Sequence, residues 1–234
     1  MKHRKGIESA IANSYRRSLR ERKEYTLWNK IPVQILQPFA HQDIDMTEII
    51  SSVEKKLPYV LSNTIEAIYV GDFEETNSRH LNAIFKDGAI YIDKDAPRQE
   101  EVVKDVIHEI GHSIEELFSG LVYEDDFVER EFLGKRMRLQ QSLKSEGYPA
   151  PLRYFANPDY DRKFDFYLYD DLGYATLLPL TMGLFVTPYS VTSLREYFAE
   201  SFLEYFTGNK KYLAEISPVL YNKIEKVMEE LEDG

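Results

Sequence analysis

The sequence predicts an α+β protein, with a small mixed sheet in its first part and a mainly helical C-terminal part. Three observations predict this class. Short segments rich in β-branched and aromatic residues lie within the first 93 residues, an Asp-Gly pair separates two of them, and longer stretches with helical signals follow. With 234 residues, of which 43% are hydrophobic, the chain can bury a substantial core.

The first 30 residues differ in charge from the rest of the chain. They carry nine basic and three acidic residues, although the net charge of the whole chain is -11. Ile7, Ile11, Tyr15 and Leu19 recur at helical spacing, which predicts a basic N-terminal helix or arm over residues 1–30, docked on a body formed by residues 31–234. The acidic body disfavours nucleic acid, whereas residues 1–30 alone could bind nucleic acid or an anionic membrane surface.

The predicted sheet and its first helix come from segments before residue 94. Residues 81–93 contain two apolar runs around Asp87-Gly88, which is the strongest short signal for a hairpin. The other elements expected here are a strand at 31–36, a helix that starts at 45–47 and ends before Pro58, and a strand at 64–72.

Helices are expected to dominate the rest of the chain. Residues 121–170 are polar with scattered aromatic residues and no period, so they are predicted to form a long insertion, and the three prolines and clustered aromatic residues at 147–171 predict a long loop or a small excursion from the main fold there. The other expected elements are a helix from Pro97 to before Gly120, an apolar core segment at 172–186, a helix that Ser193 or Thr192 caps and Gly208 ends, and a last helix at about 217–232.

Several classes of protein do not fit the composition. No apolar run reaches the roughly 18 residues of a membrane span, so no transmembrane segment is expected. No signal peptide is visible, which favours a cytoplasmic location. Without cysteine there are no disulfides or thiolate ligands, so a bound metal must be held by His, Asp or Glu.

The segment VIHEIGHSIEE, residues 106–116, contains a metal-binding pattern. On a helix, His108 and His112 lie one turn apart on the same face, so both imidazoles can bind one ion. Glu109 can reach a water at that ion and act as a general base, which is the signature of zinc proteases. The alternative is a pair of hydrogen-bonded core histidines. Gly111 weakens the helix and indicates that something packs closely against its backbone.

A catalytic zinc site needs a third protein ligand. Glu196, Glu200 and Glu204 lie on one stripe of the helix in 195–206, among phenylalanines that indicate burial. One glutamate could bind zinc while its neighbour accepts the Nδ1 proton of a histidine. Spacing alone does not choose among the three.

HEIGH, Tyr189 and the segment EYFAESF closely resemble the anthrax lethal factor and Pro-Pro endopeptidase group of zinc metallopeptidases, over residues 45–120 and 185–208. The resemblance implies the zincin fold of the gluzincin type, with an edge strand beside the HExxH helix. It also implies a Zn²⁺ site and roles for individual residues: His108, His112 and Glu196 on zinc, Glu109 as catalytic base, Glu200 as a hydrogen-bond partner of a ligand histidine, and Tyr189 as oxyanion donor.

The strand AIYID, Ala89–Asp93, resembles the edge strand along which these enzymes bind an extended protein or peptide substrate. The function predicted is therefore a zinc-dependent endopeptidase, and the acidic body favours cationic peptides. Two alternatives stay open. One is a zincin-fold binding or structural protein that no longer catalyses hydrolysis. The other is a protein that functions by binding nucleic acid or a membrane surface through its basic residues 1–30.

Overall fold

A five-stranded mixed sheet forms the first part of the computed structural model, which describes residues 25–79 and 81–233. The strands are β1 (Tyr25–Leu27), β2 (Ile31–Ile35), β3 (Ala67–Gly71), β4 (Ala83–Lys86) and β5 (Ala89–Asp93). Their order across the sheet is β1-β2-β3-β5-β4. Strands β2, β3 and β5 are parallel, and β1 and β4 pair antiparallel at the two edges. The α+β class and the mixed sheet are thus confirmed.

The predicted hairpin forms, but the expected edge strand does not lie at the edge. Asp87 and Gly88 have φ angles of 49° and 79°, the left-handed values that a two-residue hairpin turn requires. The segment Ala89–Asp93 is β5, which pairs with β3 on one side and β4 on the other, so the expectation that it forms the edge is wrong. A hairpin signal shows that two strands pair, not which of them continues the sheet. The near-continuous burial of β5 is typical of an interior strand.

Helices make up most of the chain after the sheet, as predicted. Two further helices, α1 (Met46–Lys56) and α2 (Glu74–Arg79), lie between strands of the sheet. The helices after the sheet are α3 (Gln99–Leu117), α4 (Ser119–Tyr123), α5 (Phe127–Ser145), α6 (Leu152–Phe155), α7 (Arg162–Phe166), α8 (Tyr174–Thr181), α9 (Leu194–Thr207), α10 (Lys210–Ile216) and α11 (Pro218–Asp233). Single turns of 3₁₀-helix cover Tyr59–Asn63 and Tyr189–Val191, and a π-helix covers Tyr167–Leu172.

The ends of two predicted helices follow from capping side chains. The Asp45 carboxylate accepts a hydrogen bond from the Thr47 N–H at 2.8 Å and begins α1. The Ser193 hydroxyl accepts one from the Glu196 N–H at 3.2 Å and begins α9, which ends at Gly208. Of the two expected caps for this helix, Ser193 is therefore the one used.

The segment 121–170 begins with a long helix, α5, that the sequence did not predict, whereas the long loop or excursion expected at 147–171 consists of two short helices, α6 and α7, most of the π-helix and the loops between them. Helix α5 has 19 residues, and its buried face includes Lys135, Arg136 and Gln140 beside apolar residues. Because these polar residues share the buried face, the helical spacing of the apolar residues is not visible in the sequence. Arg136 is fully buried, and its guanidinium carbon lies 5.0 Å from the ring centre of Phe132 and 4.4 Å from that of Phe164.

The predicted basic helix lies mostly outside the described residues, which begin at Tyr25. Residues 25–30, which the charge pattern groups with it, contribute β1 and the turn after it to the sheet. Trp28 in this turn is buried, with 7% of its surface exposed. Between residues 25 and 233, apart from position 80, no helix has both the length and the apolar character needed to cross a bilayer.

Candidate metal centre

Helices α3 and α9 bring two histidines and a glutamate together. His108 and His112 lie one turn apart on α3, with ring centres 4.8 Å apart. Their Nε2 atoms lie 3.1 Å and 3.4 Å from the same oxygen, Oε2 of Glu196 on α9. All three residues are buried. The side chains that the sequence singled out as metal ligands therefore converge on one point.

The close approach of the two helices depends on Gly111. A Cβ atom at this position would lie 3.2 Å from Cα of Ala199 and 3.2 Å from Cδ1 of Phe202. Both distances are tighter than ordinary van der Waals contact. The missing side chain of Gly111 thus lets α9 come near enough to α3 for Glu196 to reach both imidazoles.

The three donor atoms are close enough together to bind one metal ion. One ligand atom from each of the three residues lies within 4.8 Å of the others. Zinc bonds of about 2.0–2.1 Å at tetrahedral angles separate neighbouring ligand atoms by about 3.3 Å. The separations of the two Nε2 atoms from Glu196 Oε2, 3.1 Å and 3.4 Å, bracket this value. Two nitrogens and one carboxylate oxygen also form a donor set that zinc commonly uses.

Glu200 orients the first histidine. Its Oε1 lies 2.9 Å from Nδ1 of His108, and its Oε2 accepts a hydrogen bond from the Thr187 hydroxyl at 2.7 Å. A proton held on Nδ1 by this carboxylate leaves the Nε2 lone pair for an ion. The role expected for Glu200 matches this geometry, whereas Thr187 was missed because a threonine in a loop gives no sequence signal.

Glu204, the third candidate on the stripe, lies away from the centre. Its Oε1 accepts a hydrogen bond from the Asn209 N–H at 2.7 Å, beyond the end of α9. Glu204 therefore stabilises the turn after this helix, and Glu196 and Glu200 are the pair at the site.

Glu115 lies beside the second histidine and was also missed. Its Oε2 is 3.8 Å from Nδ1 of His112, which is beyond hydrogen-bond distance, and it accepts a hydrogen bond from Nε of Arg195 at 2.7 Å. The Tyr123 hydroxyl donates to its other oxygen at 3.1 Å. The sequence signal was a carboxylate three residues after a ligand histidine on one helix face.

The charges of this cluster are strongly coupled. Burial alone would raise the pKa of the Glu196 carboxyl, but its hydrogen bonds with His108 and His112 outweigh burial and hold that pKa well below its usual range. Burial lowers the pKa of His112, whereas the carboxylates of Glu115 and Glu196 raise it to about 9. Because metal ligands must be deprotonated, an ion that binds here displaces protons from the imidazoles.

Glu109 faces the cleft from the same helix and contacts the sheet edge. Its Oε2 accepts a hydrogen bond from the Phe85 N–H on β4 at 2.7 Å. Glu109 is buried but lines the same cleft as both histidines. The carboxylate thus lies between the edge strand and the metal-binding cluster, which agrees with the position of a base that acts on a water in the cleft.

Tyr189 lies near the first histidine in the same cleft. Its ring centre is 6.2 Å from that of His108, and the residue lines the cleft. The 3₁₀ turn Tyr189–Val191 leads directly to Ser193 and α9, so the same local structure positions Tyr189 and Glu196.

The cleft has a volume of about 430 Å³. Its walls are the edge strand β4, helix α3, helix α9 and one residue of the insertion, Tyr160. The Tyr160 hydroxyl donates to Asp165 at 2.8 Å, which ties this wall to α7. The insertion therefore shapes the cleft.

A buried polar network fixes the far face of α9. The Tyr197 hydroxyl donates to Glu131 at 2.8 Å and accepts a hydrogen bond from Lys135 Nζ at 2.6 Å. Lys135 Nζ also donates to the Ser217 hydroxyl at 2.5 Å. Since Tyr197 follows Glu196 directly, these bonds to α5 hold the helix in the rotation that turns Glu196 toward the histidines.

Comparison with known proteins adds no relative. No protein-family model matches the chain, and no curated protein does either.

Proposed function

We propose that this protein is a zinc-dependent endopeptidase with a zincin fold, of the gluzincin type that lethal factor-like enzymes represent. The observation that carries this proposal is the convergence of His108 Nε2 and His112 Nε2 on Glu196 Oε2, with Glu109 one residue after the first histidine. A metal-binding group alone is not a catalyst, so the proposal also depends on what surrounds it.

Zinc is the ion that the donor set supports best. Three protein ligands leave one position open, which is the arrangement of catalytic rather than structural zinc. When bound, the ion would supply Lewis acidity to a water and to the carbonyl of a substrate peptide bond.

Glu109 is positioned to transfer a proton from the attacking water to the leaving amine during hydrolysis. Its carboxylate accepts a proton from the attacking water and donates it to the amine that leaves, so one side chain serves as general base and then as general acid. The Phe85 N–H holds this carboxylate on the cleft side of α3. The Tyr189 hydroxyl, on the same cleft, stabilises the negative charge that develops on the carbonyl oxygen.

The edge strand β4 supports a peptide as substrate. The backbone carbonyl of Asn82 accepts a hydrogen bond from the backbone N–H of Asp93. In the same antiparallel ladder, Ile84 lies opposite Tyr91 and Lys86 lies opposite Ala89. The backbone groups of Ala83 and Phe85 therefore face the cleft, because pairing alternates along an antiparallel strand. The Phe85 N–H already donates to Glu109, so an extended peptide can pair with the backbone groups of Ala83 and the Phe85 carbonyl and lay its scissile bond beside Glu109.

The layout of the sheet supports the zincin fold. Strand β4 is antiparallel to its neighbour, lies at the edge and packs against α3, which carries the HExxH motif. Helix α9 then supplies a glutamate from a distant part of the sequence.

Two measurements on the full chain test the proposal. Elemental analysis is expected to find one zinc per chain in the wild type, and much less in Glu196→Ala, whereas Glu204→Ala retains the metal as a matched control on the same helix. Cleavage of a mixed peptide library, read by mass spectrometry, is expected for the zinc-loaded wild type and is abolished by a chelator.

The Glu109→Gln variant separates catalysis from metal binding. We expect it to keep its zinc and to lose cleavage, because the amide cannot accept the proton. A zinc-loaded wild type that cuts no peptide would instead support the alternative of a silent binding protein. The other alternative, a working basic arm, concerns mainly residues 1–24, which lie outside the described part of the chain.

A further inference from the structure

The charged side chains that line the cleft are not equally available to a ligand. Its four carboxylates have roles within the site or are buried: Glu196 and Glu200 contact the histidines, Glu109 contacts the Phe85 N–H, and Asp105 has an oxygen that water does not reach. The two basic residues that line it, Lys104 and Arg195, are both exposed. The exposed charged residues of the cleft lining are therefore both positive.

The guanidinium of Arg195 is held through its Nε, whereas its two Nη groups are open to a ligand. Its Nε donates to the buried Glu115 at 2.7 Å, while 55% of its side-chain surface is exposed. The two Nη groups make no hydrogen bond or ion pair to any residue within 25–79 or 81–233. A guanidinium has five N–H donors, so four remain for a ligand. The contact with Glu115 reduces the entropy that Arg195 loses when it binds one.

We propose that Arg195 makes this protein select peptides that carry an Asp or Glu side chain close to the scissile bond. This inference rests on the proposed function and names the substrate class for it. Arg195 directly precedes the metal ligand Glu196 and lines the same cleft, so a side chain near the scissile bond is within its reach. A guanidinium binds a carboxylate through two parallel hydrogen bonds, which gives both affinity and geometric selectivity.

Lys104 adds a second positive charge on the other side of the metal ligands. It lies one helical turn before His108, whereas Arg195 is bonded to Glu115, three residues after His112. Lys104 is exposed and lines the cleft. Lys104 and Arg195 therefore lie toward opposite ends of the histidine pair along α3.

The net charge of the chain favours the opposite preference, for cationic peptides, but it acts at longer range. Salt screens interactions between exposed charges beyond about 8 Å at physiological ionic strength. Direct contact with Arg195 is screened less, since one side of its guanidinium rests on a buried carboxylate. Local contact therefore decides the side-chain preference, and the acidic surface mainly slows the encounter with acidic peptides.

The test compares matched peptides. A bond that the wild type cuts is located first, and internally quenched peptides are then made that carry Glu, Gln or Lys at each of the two positions on either side of it. We expect kcat/KM for the Glu peptide to be at least about fivefold that for the Gln peptide at one of these positions, because hydrogen bonds to charged groups are stronger than those between neutral groups. The Lys peptide should be the poorest substrate.

The Arg195→Gln variant is expected to bring this Glu-to-Gln ratio close to one. If Arg195 served only to hold Glu115 and thus His112, the variant would slow the Glu and Gln peptides by the same factor and the ratio would persist. An unchanged ratio therefore overturns the inference. As a control, Glu200→Gln acts through His108 and leaves the contacts of Arg195 intact, so it should slow both peptides and keep the ratio.

A binding measurement makes the inference independent of turnover. Fluorescence anisotropy of the labelled Glu and Gln peptides is measured with zinc-loaded Glu109→Gln protein and with the Glu109→Gln, Arg195→Gln double variant. The Glu peptide should bind about fivefold more tightly to the first protein only. Equal binding of both peptides overturns the inference even if peptides are cleaved, whereas a binding difference without any cleavage by the wild type contradicts only the proposed peptidase.

Discussion

A Cβ atom at Gly111 would lie 3.2 Å from Cα of Ala199, so α3 and α9 touch through their backbones. This contact lies between the two ligand histidines in sequence and one turn from Glu196. The geometry of the candidate metal centre thus depends on a residue that has no functional group.

Substitution of Gly111 tests the helix contact. Alanine favours a helix by about 1 kcal/mol over glycine, but here its methyl group pushes α9 away at a cost of about 1–3 kcal/mol. We expect Gly111→Ala to lower the free energy of unfolding or leave it unimproved, and to weaken zinc binding. Gly134→Ala on α5 is the control, since its Cβ meets nothing within 4 Å and should stabilise by about 0.5–1 kcal/mol. Equal stabilisation by both changes would contradict the close contact.

Glu200→Gln tests the support of His108. The amide still accepts the Nδ1–H hydrogen bond, but the negative charge that makes the imidazole a stronger ligand is lost. We expect zinc affinity to fall by about 10- to 100-fold, measured by competition with a chromophoric chelator. Glu204→Gln, one turn further along α9, should leave the affinity unchanged. A similar effect of both variants would remove Glu200 from this role.

Tyr189→Phe tests the oxyanion donor. Loss of one such donor typically lowers turnover by about a hundredfold or more. The zinc content should not change, because the Tyr189 hydroxyl is not among the ligand atoms. We expect kcat to fall and KM to stay similar in assays with a cleaved peptide. Wild-type turnover in the variant would exclude this role.

Asp105 makes stability depend on pH. Burial is the main cause that raises the pKa of its carboxyl from 3.8 to about 7, and its Oδ2 has no hydrogen-bond partner in the described part of the chain. Between these pH values the folded protein holds a proton that the unfolded chain has released, so stability falls as the pH rises from about 4 to about 7.

The Asp105→Asn variant removes this pH dependence. Relative to the wild type, we expect a gain of about 1–3 kcal/mol in the free energy of unfolding at pH 8 and little change near pH 4. Urea denaturation at both pH values, with a chelator present, measures it. A gain of equal size at both pH values would show that the carboxylate charge is not responsible.

Much of the site could be predicted from the sequence because it is encoded by local spacing. The i, i+4 histidines, the intervening glutamate and the Ser193 cap depend only on the geometry of a single helix. The pairing of Glu196 and Glu200 with the histidines needed the resemblance in addition, since the spacing of the stripe also allowed Glu204.

What the sequence did not predict depends on contacts between distant segments. Strand β4 rather than β5 lies at the sheet edge because β5 pairs with β3, and no local sequence pattern predicts this pairing. The long helix α5 was hidden because Arg136 and Lys135 are buried on its inner face. The sequence contains no signal for Arg195 beside Glu196, because the orientation of its guanidinium depends on Glu115, 80 residues earlier in the chain.

The exposed margin of the sheet is short, because β4 has four residues and only Ala83 and Phe85 turn their backbone groups toward the cleft. A bound chain can thus register against a span of about two amino acids by main-chain bonding. Tight inhibitors should accordingly be compact tripeptide-sized compounds, in which an acidic substituent and a metal-chelating head contribute more than added backbone length.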